Sequence, residues 1–141
     1  MKTLLFLLAI WGLLGLMQCS KKDSDQVAEL NQTIKLQNKQ STTVKAVGTD
    51  VQLTVTKISD SRCPSDVTCV WQGAATVNVE LRDRAGTLQA TDLCLGGCQN
   101  DSAAVVLDAV PYWLCLTAVD PYPLASAPSP NQTAALRLTR Q

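Results

Sequence analysis

Residues 50–58 read DVQLTVTKI, in which Val51, Leu53 and Val55 alternate with Gln52, Thr54 and Thr56, and Lys57 falls on the parity of the apolar row. In ATVNVELR, residues 75–82, Val77, Val79 and Leu81 alternate with Asn78, Glu80 and Arg82. Near the end, Leu136 and Leu138 alternate with Arg137 and Thr139. A period of two is the geometry of an extended strand, in which residues i and i+2 share one face. Each segment therefore offers a single apolar row to a common core. The many Val and Thr suit a pleated, half-buried surface. No amphipathic stripe of helical spacing follows the N-terminal apolar run.

The same reasoning predicts strands over 33–37, 43–47, 87–95, 104–107 and 113–119. Turn signals separate them at Gly48-Thr49-Asp50, Asp83-Arg84-Ala85-Gly86, Gly96-Gly97 and Val110-Pro111. Gly86 is placed to take a positive φ in a hairpin loop. About seven to nine short strands at this spacing predict an all-β fold, an antiparallel β-sandwich (Ig-like or similar), with a barrel as the alternative. With 46% apolar and 17% charged residues, a chain of 141 residues can pack such a core as one domain, expected over 33–141.

The chain begins MKTLLFLLAIWGLLGLMQC. Lys2 precedes an uncharged run from Leu4 to Met17, shorter than the roughly 20 residues of a membrane span and of the length of a secretory signal. A short retained anchor is the alternative. The run ends in Leu16-Met17-Gln18-Cys19, which resembles a bacterial lipobox, with Gln18 where a small residue usually stands. The resemblance implies a signal peptide over 1–18 and a mature N-terminus at Cys19, lipidated with palmitate. The following SKKDSD resembles the tether of Bacteroidota-type lipoproteins. Residues 19–32 are read as the lipidated cysteine and a polar tether. The expected location is the bacterial cell envelope, lipid-anchored in the outer membrane, facing the periplasm or the surface.

Formal charge is zero, so no basic field exists for nucleic acid. Histidine is absent, which removes Ser-His-Asp and Cys-His catalysis and every His-based metal set. The chain is not expected to be an enzyme, and no cofactor is expected. Asp60, Asp66, Glu80 and Asp92 remain as acid/base candidates, with nothing in the sequence to assemble them.

Of six cysteines, Cys19 is reserved for lipid. Export places Cys63, Cys69, Cys94, Cys98 and Cys115 in an oxidising compartment, where pairing is the default. Cys63 with Cys69, and Cys94 with Cys98, each frame a loop short enough to close. Cys115, in WLCLTAV, reads as a small buried hydrophobe. Sequence alone leaves a swap involving Cys115 open. A zinc site is the alternative, since C-x5-C with C-x3-C loosely matches two close ligand pairs. Disulfides are expected, and no metal.

Trp71 follows the first pair. It is expected to pack on the Cys63–Cys69 bridge and close one end of the core, the alternative being an exposed stacking platform. Asp60 is expected to pair with Arg62 or to bond loop amides, and Asp66 to bond amides inside its own loop. PYPLASAPSPNQ, residues 121–132, holds four of the six prolines and is a loop before the last strand.

DSRCPSDVTCVWQGAATVNVEL, with the later YWLCLTAVDPYP and a final ALRLTR strand, resembles a group of small exported bacterial lipoprotein domains. Those carry D-S-R-C-P…V-x-C-x-W-x-G and a late PYP segment. Here Gln72 stands where that group often has a small residue, and Cys94/Cys98 is an addition. The resemblance implies a stapled all-β domain and assigns no activity.

The expected role is a binding or structural module in the envelope, partnered by the membrane through its lipid and by an envelope protein or glycan. Asp60, Arg62, Asp66, Trp71 and, in the proline loop, Tyr122 are the candidate contact residues. The alternative is a stapled-loop inhibitor of an extracellular hydrolase, which requires Val67 to be exposed. A joint site requires both loops to lie at the same end of the sandwich.

Overall fold

The computed structural model describes residues 27–127 and 131–141. The predicted signal peptide, Cys19 and the first part of the tether lie outside the described residues. Nine strands form two sheets, and no helix occurs among the described residues. The strands are β1 (Val27–Glu29), β2 (Ile34–Gln37), β3 (Gln40–Ala46), β4 (Thr49–Asp60), β5 (Ala74–Arg82), β6 (Leu88–Gly96), β7 (Ser102–Leu107), β8 (Val110–Asp120) and β9 (Thr133–Arg140). One sheet has the order β1-β3-β4-β5-β6 and the other β2-β9-β8-β7. All pairings are antiparallel except β1 with β3. The architecture is the expected β-sandwich.

The alternation read from the sequence is the packing pattern. Val51, Leu53 and Val55 of β4 and Val77, Val79 and Leu81 of β5 are buried, as are Leu114 and Leu116 of β8 and Leu136 and Leu138 of β9. These rows face one another across the two sheets and exclude water, which is the main source of the domain's stability. The β4 row does not extend to Lys57, contrary to expectation. A bulge between Val55 and Lys57 shifts the register against β5, so Lys57 turns to solvent and Ile58 turns inward. The stretch read as tether is also shorter than expected, because Val27–Glu29 pairs in parallel with Thr43–Lys45.

The two ends of the sandwich differ. At one end, the hairpin tips are tied by Asp83, whose buried carboxylate accepts from the amides of Thr87 (2.7 Å) and Asp108 (3.3 Å). Burial pushes this carboxyl up, but the amides of Thr87, Asp108 and Gly86 more than offset that and hold it below the ordinary value. Thr49 Oγ1 also donates to the Asp108 carboxylate. Gly86 has φ 86°, as its hairpin position requires. The opposite end carries the cysteine and proline loops.

Candidate functional site

Past Asp60 and before Ala74 the β4–β5 ladder continues for two rungs. Ser61 N donates to Ala74 O (2.8 Å), and Cys63 N to Gln72 O (2.8 Å). The approach is so close that a Cβ on Gly73 would sit 1.9 Å from the Ser61 carbonyl oxygen, and Gly73 has φ 67°. Only glycine satisfies both conditions. The Cys63–Cys69 disulfide, with Cα atoms 5.9 Å apart, then closes the tip. Within it a turn forms, Val67 N donating to Pro64 O (3.3 Å).

The proline loop lies directly against this tip, so the two candidate loops share one end. Asp60 and Arg62 form a forked ion pair, Arg62 Nε to Asp60 Oδ1 at 2.9 Å and Nη2 to Oδ2 at 2.6 Å. Their side chains are 2% (Asp60) and 9% (Arg62) exposed. Asp60 also accepts from its neighbour's backbone, Arg62 N (3.0 Å), and from Gln132 Nε2 (2.7 Å), just before β9. Arg62 Nη2 reaches the Val119 carbonyl in β8 (2.7 Å), and its guanidinium lies 4.3 Å above the centre of the Tyr122 ring. A pair rooted in one sheet thus grips the other sheet and both ends of the proline loop. Both alternatives foreseen for Asp60, the Arg62 pair and a loop amide, occur together.

Asp66 differs from expectation. Its carboxylate crosses to the proline loop and accepts from Ala125 N (2.7 Å) and Ser126 N (3.1 Å). The Ala125 amide, with help from Ser126, holds this carboxyl below the ordinary value. Ser65 N donates to Pro123 O (3.1 Å), completing the seam. Two carboxylates foreseen as loop-local, Asp60 and Asp66, therefore serve as clamps between loops. The other acid/base candidates, Asn78-paired Asp92 and Glu80, lie on the β5–β6 ladder away from this seam.

Trp71 departs furthest from expectation. It is 64% exposed, so it does not close the core, and its ring edge lies over Gly97 in the second stapled loop. A Cβ on Gly97 would stand 2.9 Å from that ring. Val70 beside it is fully exposed, and Val67, Tyr122 and Leu124 are each more than two-fifths exposed. Val70 and Leu124 were missed in the sequence. Val70 sits in a bend beside Trp71, outside any strand, so no alternating pattern marked it in the sequence.

The second disulfide joins Cys94 and Cys98. Four cysteines are thus consumed in bridges and cannot act as thiolate ligands, which overturns the zinc alternative. Cys115 is the free cysteine among the described residues. It is half-buried on the outer face of β8, because the inward parity belongs to Tyr112, Leu114 and Leu116. The expectation of a core cysteine is corrected by that parity. Two bridges mark an oxidising, extracytoplasmic environment. Among the described residues no helix is long and apolar enough to cross a membrane.

No protein-family model matches the chain, and neither the curated proteins nor the solved structures give a significant match. The functional reading therefore rests on the fold, the loop seam and the N-terminal sequence.

Proposed function

We propose that this chain is a lipid-anchored cell-envelope protein whose β-domain is a binding module, with its contact surface at the welded loop end. The observation that carries this reading is the combination of rigidity and exposure. The Asp60–Arg62–Tyr122–Gln132 cluster, the Asp66 clamp and a disulfide fix the backbone, while Val67, Val70, Trp71, Tyr122 and Leu124 remain out in solvent. Exposed apolar groups held on an ordered frame bind with little ordering cost. Cys19 and the envelope location come from the N-terminal sequence.

The test is the intact mass of protein extracted from the membrane fraction of the source cell, with thiols alkylated before reduction. The expected product starts at Cys19, carries acyl mass and takes up one alkyl group, at Cys115. A product without lipid, or with four or five alkylated thiols, refutes the reading.

The hydrolase-inhibitor reading is favoured by one observation, the 46% exposure of Val67 in a stapled loop. Inhibitory segments that pair as an added strand are extended, however, whereas residues 64–67 close a turn. The binding module is therefore the stronger reading. Loss of inhibition of an envelope hydrolase on Val67→Asp would reverse that order.

A further inference from the structure

We infer that the partner of the loop end is the lipid surface in which the protein's own anchor sits, an inference that rests on the lipoprotein reading above. Three observations converge on it.

The first is chain direction. β4 ends at the loop end, β3 is antiparallel to β4, and β1 is parallel to β3, so the chain enters β1 while travelling away from the loops. The loop-side end of β1 is therefore its first residue, Val27.

The second is reach. Val27 is level with Thr43, which is level with Gln52. From Gln52 to Asp60 the strand rises about 25 Å, and the further rungs to Cys63 add about 10 Å. Eight residue steps from Cys19 to Val27 span at most about 28 Å, past the end of β4 and about 7 Å short of the level of Cys63. The lipid on Cys19 therefore meets a membrane at the loop end with the tether taut and the Cys19 side chain and its lipid linkage covering the remainder. To serve the opposite end the tether would have to double back. A short tether also holds the tip at high local concentration against the surface, so a modest apolar patch suffices.

The third is the contrast between the two ends. The loop segments 61–73, 97–100 and 121–127 contain two charged residues, Arg62 and Asp66, and both are engaged, in an ion pair and in two amide hydrogen bonds respectively. Lys39 precedes Gln40, level with Val55, and Asp101 lies beside Leu116, so both are set back from the tip, while Asp120 ends β8 just before Pro121. The tip presents Val70, Trp71, Tyr122 and Leu124 instead. Amphipathic rings flanked by aliphatic side chains suit the headgroup boundary of a bilayer. The opposite end also exposes Val47, Leu88 and Val106, but there they stand among Lys45, Asp50, Arg84 and Asp108, charges that keep that end in water.

The test uses the mature acylated protein in vesicles of phosphatidylcholine brominated on the acyl chains, with one tryptophan as reporter. Trp113 lies on β8, opposite Thr139, well away from the loops. With Trp113→Phe, emission from Trp71 is expected to fall to roughly half or less, the depth of an interfacial ring. With Trp71→Phe, emission from Trp113 is expected to be unchanged. Val70→Asp changes a side chain wholly in solvent, so the fold is kept, and it is expected to restore most of the Trp71 emission. An acylated protein whose Trp71 is not quenched overturns the docking and leaves the lipoprotein reading standing. Trp71 unquenched by bromolipid yet shielded from iodide in intact envelopes overturns it in favour of a protein or glycan partner. A protein with no acyl mass overturns the lipoprotein reading and the docking together.

Discussion

The Asp60–Arg62 pair is the joint on which the loop end depends, and it yields a sharp expectation. The Asp60 carboxylate is 2% exposed and accepts four hydrogen bonds, three of them from Arg62 and one from Gln132. Asp60→Ala leaves a guanidinium that is 9% exposed without its counter-charge and frees Gln132 from β4. Breaking a buried pair from one side costs about 3–5 kcal/mol, because the remaining charge is desolvated and uncompensated. For a domain of this size each kcal/mol is roughly 4 °C in Tm, so melting should fall by roughly 12–20 °C. Replacing both partners, Asp60→Leu with Arg62→Met, removes the buried charge as well, and should recover more than half of that loss. The assay is thermal unfolding followed by far-ultraviolet circular dichroism without reductant. If Asp60→Ala melts within about 3 °C of the parent, or the double variant melts no higher than the single one, the pair is not the joint described here.

Gly73→Ala should prevent folding or cost several kcal/mol, since its Cβ meets the Ser61 carbonyl, while Gly48→Ala, with φ 82° and nothing within 4 Å, should cost about 1 kcal/mol by chemical denaturation. Tyr112 is fully buried and its hydroxyl has no hydrogen-bond partner among the described residues, so Tyr112→Phe should be neutral or stabilising by up to about 1 kcal/mol in the same assay. Replacing Cys63 and Cys69 together by Ala opens a loop whose ends are six positions apart, which should cost about 2 kcal/mol and lower Tm accordingly. Asp66 titrates below its unfolded value of 3.8, so its contribution is complete above that pH and is lost as pH falls through the lower folded value. Hydrogen exchange at Ala125 and Ser126 should therefore accelerate in excess of the intrinsic rate below pH 3.8, and Asp66→Asn should remove that excess.

The sandwich was legible because alternation is a local property. A row such as Val77, Val79, Leu81 states its own face whatever pairs with it, and the structure buries all three. The two disulfides were legible because each closes within a few residues. What escaped depended on partners distant in sequence. Lys57 was misplaced because a bulge is a property of two strands in register, and one strand's pattern does not display it. Val27–Glu29 was read as tether because three residues carry too little period to be recognised. Asp66 finds its acceptor role 59 residues away, at Ala125, and Gln132 meets Asp60 across 72. The composition of each loop announced a loop; only the fold shows that the two loops are one surface.

That union explains an otherwise wasteful arrangement. A sandwich end needs only short turns to close, yet this one spends thirteen residues between β4 and β5 and twelve between β8 and β9. Both long segments carry stiffening elements, a disulfide in one and prolines in the other, and both donate polar groups to a shared seam below the tip. Stiffening of this kind has little to offer core packing, because the core is already closed by Val119 and Ala134 at the strand ends. Its effect is to fix the backbone of the two loops that carry Val67, Tyr122 and Leu124 and that flank Val70 and Trp71, all of them exposed. The hydrophobic effect would otherwise draw an indole 64% in solvent toward the nearest cover. A frame that keeps it exposed suits a second surface that covers it, and β1 is entered from that same end, the direction that the proposed anchor at Cys19 requires.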